Sequence, residues 1–99
     1  MDIQRFDLPD GAWADIHRRP SHGQVKAVMR AYREHADDGS VMDIQTISVL
    51  TLTDKWLVKD GDGREIPLSR EGVESAPQEV VNALWNELTT VLEGAFPNL

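Results

Sequence analysis

Apolar and polar positions change their spacing along the chain, and each spacing predicts a different element. Residues 12–17 alternate between two faces with a period of two, which is typical of a β-strand. Residues 7–11 include Pro9 and Gly11 and favour a turn, because proline fixes φ and glycine accepts positive φ. We therefore predict a short N-terminal strand or hairpin over residues 3–17.

A helix is predicted to follow, opening at Ser21. Ser21 and Gln24 have the spacing of a capping box, in which each side chain bonds the backbone N–H of the other residue. Apolar residues then recur at helical spacing beside a basic stripe. The apolar positions are Val25, Val28, Met29 and Tyr32, and the basic positions are Lys26, Arg30 and Arg33. Gly39 is suited to end this helix as a left-handed C-cap.

Residues 41–58 fit two structures equally well. Seven of the thirteen residues from 41 to 53 are β-branched, which favours a strand. Ile44, Ile47 and Leu50 can nevertheless share one face of a helix, and the run contains no glycine or proline. The residues alone leave the choice between helix and strand open.

The last forty residues predict a turn and a long helix. The Asp-Gly-Asp-Gly run at 60–63 could close a small hairpin around residues 56–66. A short helical turn is expected to start at Ser69, and Ser75 has the capping-box spacing to Gln78. The final helix then carries an apolar stripe at alternating spacings of three and four. That stripe consists of Val81, Leu84, Leu88, Val91 and Ala95.

Length and composition predict one small domain. The chain has 99 residues, 40% of them hydrophobic and 27% charged, and no apolar run approaches the length of a membrane span. There is no cysteine, and no secretory signal is visible at the start. We predict a single domain over residues 1–99 that resides in the cytoplasm and does not bind a membrane.

The net charge of −7 is unevenly distributed. Residues 1–35 contain six basic and five acidic residues, whereas residues 36–99 contain four basic and twelve acidic residues. An acidic surface repels the phosphate backbone, so we expect no nucleic-acid partner. The asymmetry instead allows the basic end of one copy to meet the acidic end of another. We therefore expect a homo-oligomer, with Lys26, Arg30 and Arg33 as candidate self-association residues.

No set of residues predicts catalysis. The sequence has no phosphate-binding glycine motif and no nucleophile elbow, and its three histidines lack the spacing of a zinc site. None of the seventeen acidic residues lies in an apolar sequence context that would raise a pKa. We predict a protein that is not an enzyme, with no catalytic residue, no metal and no cofactor.

Three segments, in order, resemble one protein family. Residues 8–20, LPDGAWADIHRRP, resemble its opening glycine, tryptophan, short strand and arginine. Residues 50–56 followed by residues 58–69, VKDGDGREIPLS, are similar to its apolar helix, tryptophan, D-x-x-G turn and I-P-L-S exit. The closing helix, residues 78–94, corresponds in position and character. The family is that of the tail assembly chaperones of long-tailed bacteriophages, and the resemblance covers about 80 residues.

The resemblance implies a function without chemistry. Chaperones of this family coat the tape-measure protein before the tail tube polymerises around it and are absent from the finished particle. It implies a tape-measure protein and other tail proteins as partners, and a transient location in the host cytoplasm. It also implies a helix over residues 41–54, hence a mainly helical α+β fold with about three to four helices. The alternative is a virion structural subunit of the head–tail connector or tail.

The sequence pattern, rather than the family, suggests which residues contact the partner. Tryptophan is a frequent anchor of protein interfaces, and an apolar helix face can meet a helical partner. Both Trp13 and Trp85 are candidates on the first ground. Val81 and Leu88 are candidates on the second.

Overall fold

The chain forms a mixed α+β fold, as predicted. A computed structural model describes residues 2–35 and 41–95. Within them a three-stranded antiparallel sheet has the order β1-β2-β3, and four α-helices are present. The strands are β1 (Ile3–Asp7), β2 (Trp13–His17) and β3 (Thr53–Leu57). The helices are α1 (His22–His35), α2 (Val41–Leu52), α3 (Arg70–Ser75) and α4 (Gln78–Ala95).

The N-terminal segment, predicted as a short strand or a hairpin, is a hairpin. Its turn at Pro9–Gly11 is closed by the Ala12 N–H, which donates to the Pro9 carbonyl at 3.3 Å. The central residues Asp10 and Gly11 have φ values of 60° and 77°. Positive φ at both central positions is what a type I′ turn requires, and this turn matches the twist of the two strands that it joins.

Helix α1 opens with the predicted capping box. The Gln24 N–H donates to Oγ of Ser21 at 3.1 Å, and the Ser21 N–H donates to Oε1 of Gln24 at 2.8 Å. Two backbone donors at the helix start are thereby satisfied by side chains. Of the predicted apolar stripe, Val28 is buried and Tyr32 is exposed. The C-cap expected at Gly39 lies outside the described residues.

Residues 41–52 are helical, and the change to strand comes at Thr53. The helix over 41–54 that the resemblance implies is therefore two residues too long, since Thr53 and Asp54 belong to β3. Helix α2 contacts α1, α3 and α4, so several of its sides are buried. A helix packed on several sides carries no single apolar stripe, which is why its sequence does not distinguish helix from strand.

The expected small hairpin around residues 56–66 is present as a short pairing of residues 58–60 with residues 64–66. Strand β3 pairs with β2, whereas Lys59 and Glu65 form an isolated bridge. Inside that bridge, the Asp60 carboxylate accepts the N–H groups of Asp62 and Arg64 at 2.9 and 3.0 Å. The loop leads to Ile66, whose carbonyl accepts the indole N–H of Trp56 at 2.8 Å.

Helix α3 is capped as expected, but the second predicted capping box does not form. Ser69 is the N-cap of α3, and its hydroxyl accepts the Gly72 N–H at 3.0 Å. Ser75 instead ends α3 and donates to the Gly72 carbonyl at 3.1 Å. Because Ser75 is held within α3, Gln78 bonds Asn82 along α4 and does not reach back.

The core lies between the helices and the inner face of the sheet. Strand β2 contributes Ala14 and Ile16, both 0% exposed, and α1 contributes Val28. Helix α2 adds Ile44, Val49 and Leu52. Helix α4 contributes one continuous set of buried side chains: Val80, Val81, Leu84, Leu88, Val91 and Leu92. The predicted stripe of the last helix is thus confirmed as a core-facing stripe up to Val91, and Ala95 is exposed.

Substitution of Gly72 should destabilise the fold. A β-carbon at this position would lie 1.8 Å from the Pro67 carbonyl oxygen, so the backbone of the turn before α3 would have to move. We expect Gly72→Ala to lower the free energy of unfolding by about 1–3 kcal/mol, as overpacking does, measured by urea denaturation. Gly23→Ala is the control: its β-carbon meets only Oγ of Ser21 at 3.9 Å, so wild-type or higher stability is expected there.

Two buried hydroxyl groups should be dispensable. The Oγ of Ser48 and the Oγ1 of Thr53 are buried and have no hydrogen-bond partner among the residues that the structure describes, so each hydroxyl is desolvated without compensation. We expect Ser48→Ala and Thr53→Val each to raise the free energy of unfolding by about 1 kcal/mol. Thr46→Val is the contrast, because the Thr46 hydroxyl donates to the Met42 carbonyl at 3.0 Å. A gain for Thr46→Val as large as for Thr53→Val would contradict this account.

Candidate functional site

The solvent-facing side of the sheet is the best-defined candidate surface. Side chains alternate along β2, so Trp13, Asp15 and His17 lie opposite the buried face. Strand pairing places residues of both neighbouring strands beside them. We call this surface the outer sheet face, formed by Ile3, Arg5, Asp7, Trp13, Asp15, His17, Lys55 and Leu57.

Arg5 and Asp15 fix the centre of the outer sheet face. The two residues are paired across β1 and β2. Arg5 donates from Nε to Oδ1 of Asp15 at 2.8 Å and from Nη2 to Oδ2 at 3.2 Å. This bidentate geometry holds the guanidinium in one orientation. The hydrogen bond from Arg5 lowers the pKa of Asp15 below its usual value, and the same bond raises the pKa of Arg5.

Trp13 is held by the same arginine. The guanidinium carbon of Arg5 lies 3.7 Å from the centre of the Trp13 ring, which is a cation–π contact. The indole is partly exposed. A partly exposed indole whose orientation is fixed before binding loses little conformational freedom when a partner covers it. The arrangement can therefore serve as a rigid aromatic anchor.

A groove adjoins Trp13 beside strand β3. Its volume is about 490 Å³, and its walls include Lys55, Trp56, Pro67 and Leu68. Trp13 and Trp56 are therefore parts of one surface although forty-three positions separate them. The groove combines aromatic and aliphatic walls with one basic and two acidic side chains, Lys55, Asp54 and Glu65, which suits an amphipathic segment of another protein.

The predicted partner-binding residues fall into two groups. Val81 is 6% exposed and Leu88 is 0% exposed, so both lie in the chain's own core. A change at either would act on folding as well as on binding. Trp13 and Trp85 are partly exposed and therefore accessible to a partner. Their role in partner binding stays a prediction.

The three predicted self-association residues lie on one helix. Lys26, Arg30 and Arg33 are all exposed on α1. Their positions are four and three residues apart, so they share one side of the helix. None of them forms an ion pair within residues 2–35 and 41–95. The stripe is thus available to acidic groups, and self-association through it stays a prediction.

A pair of acidic residues that the sequence did not suggest meets beside the hairpin turn. Asp10 in the turn lies close to Glu79 in the first turn of α4, and the hydrogen bond between their side chains raises the pKa of Glu79. Asp10 also lines a cleft of about 570 Å³ with Lys59, Asp60 and Val80. Sixty-nine positions separate the two carboxyl groups, and no local spacing reveals the contact.

The described residues form neither a metal site nor a membrane span. In residues 2–35 and 41–95, no three histidine, aspartate or glutamate side chains are grouped so that they could hold a metal ion. No helix within those ranges is both long and apolar enough to cross a bilayer.

The chain was compared with family models, curated proteins and solved structures. None of the three comparisons finds a match.

Neutralising Asp10 should change the titration of Glu79. Asparagine adopts positive φ about as readily as aspartate, so Asp10→Asn keeps the turn and removes one charge. We expect the pKa of Glu79 to fall towards its usual value, measured by NMR titration of the Glu79 carboxyl carbon.

The same variant should alter the pH dependence of stability. A carboxyl group whose pKa is raised by folding destabilises the folded state while it is ionised. This destabilisation is lost as the pH falls through the pKa of the folded state towards that of the unfolded state. Asp10→Asn should therefore be more stable than wild type at neutral pH and equally stable in acid. An unchanged pKa of Glu79 in the variant would show that the two carboxyl groups do not interact.

Proposed function

We propose that the protein is a tail assembly chaperone of a long-tailed bacteriophage. It binds the tape-measure protein, keeps this long apolar chain soluble and promotes tail morphogenesis without catalysing a reaction. It acts transiently in the host cytoplasm, alongside other tail proteins. Copies of the chain associate with each other during this step.

The observation that carries the proposal is where the resembling segments meet. The segment at 8–20 supplies Trp13, and the segment at 58–69 supplies Ile66, Pro67 and Leu68. These residues line one groove beside the outer sheet face. Residues that are far apart in sequence thus contribute to a single groove, which supports a shared role in binding.

The surface has the chemistry that an apolar helical partner needs. Trp13 offers a fixed aromatic ring, and Leu57 lies beside it on the neighbouring strand. An amphipathic helix binds by placing a few apolar side chains in such a groove while its polar side stays in water. In the groove wall, Lys55 can meet an acidic residue of the same helix, and Asp54 and Glu65 can meet basic ones.

Binding to the tape-measure protein should depend on Trp13. Replacement of a central interface tryptophan by alanine costs about 2 kcal/mol or more, which corresponds to roughly 30-fold weaker binding. We expect that loss for Trp13→Ala, measured by calorimetry with a purified tape-measure fragment. Tyr32→Ala is the matched control, since Tyr32 is 38% exposed but lies on α1. Equal affinity of wild type and Trp13→Ala would refute the outer sheet face as the binding surface.

Mass spectrometry of infected cells and of purified particles tests the function itself. A chaperone should yield peptides from the cell lysate and none from the particle, and co-expression should raise the soluble fraction of the tape-measure protein. Abundant peptides from the particle would reject the proposal and favour a structural subunit of the head–tail connector or tail.

A further inference from the structure

Strand β1 has a free edge whose polar groups can be identified. Two hydrogen bonds show which residues of β1 direct their backbone groups towards β2. The Leu8 N–H donates to the Ala12 carbonyl at 2.9 Å, and the Arg18 N–H donates to the Asp2 carbonyl at 2.8 Å. Even-numbered residues of β1 therefore bond to β2, because hydrogen-bonded pairs alternate along an antiparallel ladder. The backbone N–H and C=O groups of Ile3, Arg5 and Asp7 point the other way.

No strand among the described residues pairs with that side. The sheet order is β1-β2-β3, so β1 is an edge, and Gln4, Arg5 and Asp7 are exposed. Edge strands with unpaired backbone groups are templates for a further strand. The identity of that strand follows from the charges along β1.

We propose that β1 pairs antiparallel with β1 of a second copy, about a two-fold axis at Phe6. The two sheets then form one continuous six-stranded sheet. Arg5 lies opposite the partner's Asp7, Asp7 lies opposite the partner's Arg5, and the two Phe6 side chains are adjacent. This proposal does not rest on the proposed function, and it uses a different surface from the basic stripe of α1.

The register between the two β1 strands follows from the faces on which their side chains lie and from the charges of those side chains. A two-fold axis must pass through a residue, because an axis between residues would place inner-face side chains opposite outer-face ones. An axis at Arg5 sets two arginines directly opposite each other, which is unfavourable. An axis at Gln4 leaves Asp7 without a basic counterpart. Only the axis at Phe6 joins opposite charges twice and also connects the outward N–H and C=O groups of Arg5 and Asp7.

Arg5 and Phe6 already have the positions that this contact requires. Arg5 is already fixed by Asp15 and Trp13, so little freedom is lost when the partner's Asp7 approaches. Phe6 packs against the core from the inner face and remains partly exposed at the edge. Contact with the partner's Phe6 would cover it further. One short strand on each side is a small interface, so we expect the weak association typical of transient contacts.

Charge reversal tests the proposed register. Wild type should dimerise in sedimentation equilibrium between micromolar and millimolar concentration, while Asp7→Arg alone and Arg5→Asp alone should be monomeric. An equimolar mixture of the two variants should form a heterodimer, because one chain then carries two basic and the other two acidic side chains along the edge. Asp54→Arg makes the same charge change on β3 and should leave dimerisation unchanged. Circular dichroism checks that Arg5→Asp, which removes the bond to Asp15, remains folded.

Disulfide formation tests the same register independently. Residues facing each other in a non-hydrogen-bonded pair have Cα atoms about 4.5 Å apart, within the range of a disulfide. The chain has no cysteine, so Phe6→Cys should give a covalent dimer under mild oxidation. Gln4→Cys is the control, since the two Gln4 positions would be roughly 13 Å apart and should not crosslink.

Three outcomes would overturn the proposal. The first is a wild-type chain that stays monomeric at millimolar concentration. The second is a dimer that Asp7→Arg does not weaken, which would indicate another surface. The third is crosslinking through Gln4→Cys instead of Phe6→Cys, which would indicate another register.

Discussion

The central strand β2 must serve two environments at once, and the rest of the fold is arranged around it. Ala14 and Ile16 are completely buried against the helices, while Trp13, Asp15 and His17 face outwards. A shift of one residue in its pairing would bury Asp15 and expose Ile16. The register of the hairpin, and with it the position of Arg5 over Trp13, is therefore fixed by the hydrophobic core.

The turn enforces the same register from the other end. Asp10 and Gly11 both adopt positive φ, which lets the three residues Pro9–Gly11 connect Leu8 to Ala12 at the end of the ladder. Beyond the strand, Arg18 forms an ion pair with Glu87 and so ties the end of β2 to α4. Local turn chemistry and long-range packing agree here, which is the consistency expected of a sequence that specifies one structure.

The sequence predicts correctly those elements that depend on residues close together in the chain. The capping box at Ser21 and the turn before Trp13 involve residues within four positions of each other, and both are present. The boundary at Thr53 is different, because β-branched residues continue across it without a break. Helix α2 exists because α1, α3 and α4 pack around it, and tertiary packing overrides β-propensity there. At Ser75 a local signal fails instead. Its spacing to Gln78 suits an N-cap of α4, but its hydroxyl bonds the Gly72 carbonyl within α3.

The candidate site was predictable only in part for the same reason. An apolar helix stripe indicates burial without saying whether the chain itself or a partner covers it. The sequence therefore suggests Val81 and Leu88 as partner contacts, although α4 buries both in the core. Trp13 was identified from its residue type, but its anchoring by Arg5 required the strand register.

The outer sheet face and the free edge of β1 both involve Arg5. Its side chain bonds Asp15 and stacks on Trp13, while its backbone N–H and C=O point away from β2. A partner on the face would contact the indole, whereas a second copy at the edge would bond the backbone of Arg5 and set its own Asp7 opposite the Arg5 side chain. Pairing of the two β1 strands would also place the outer sheet faces of both copies on the same side of the extended sheet. An apolar segment long enough to cross both faces would then bind two anchors at once, and linked contacts of this kind strengthen binding without any new interaction.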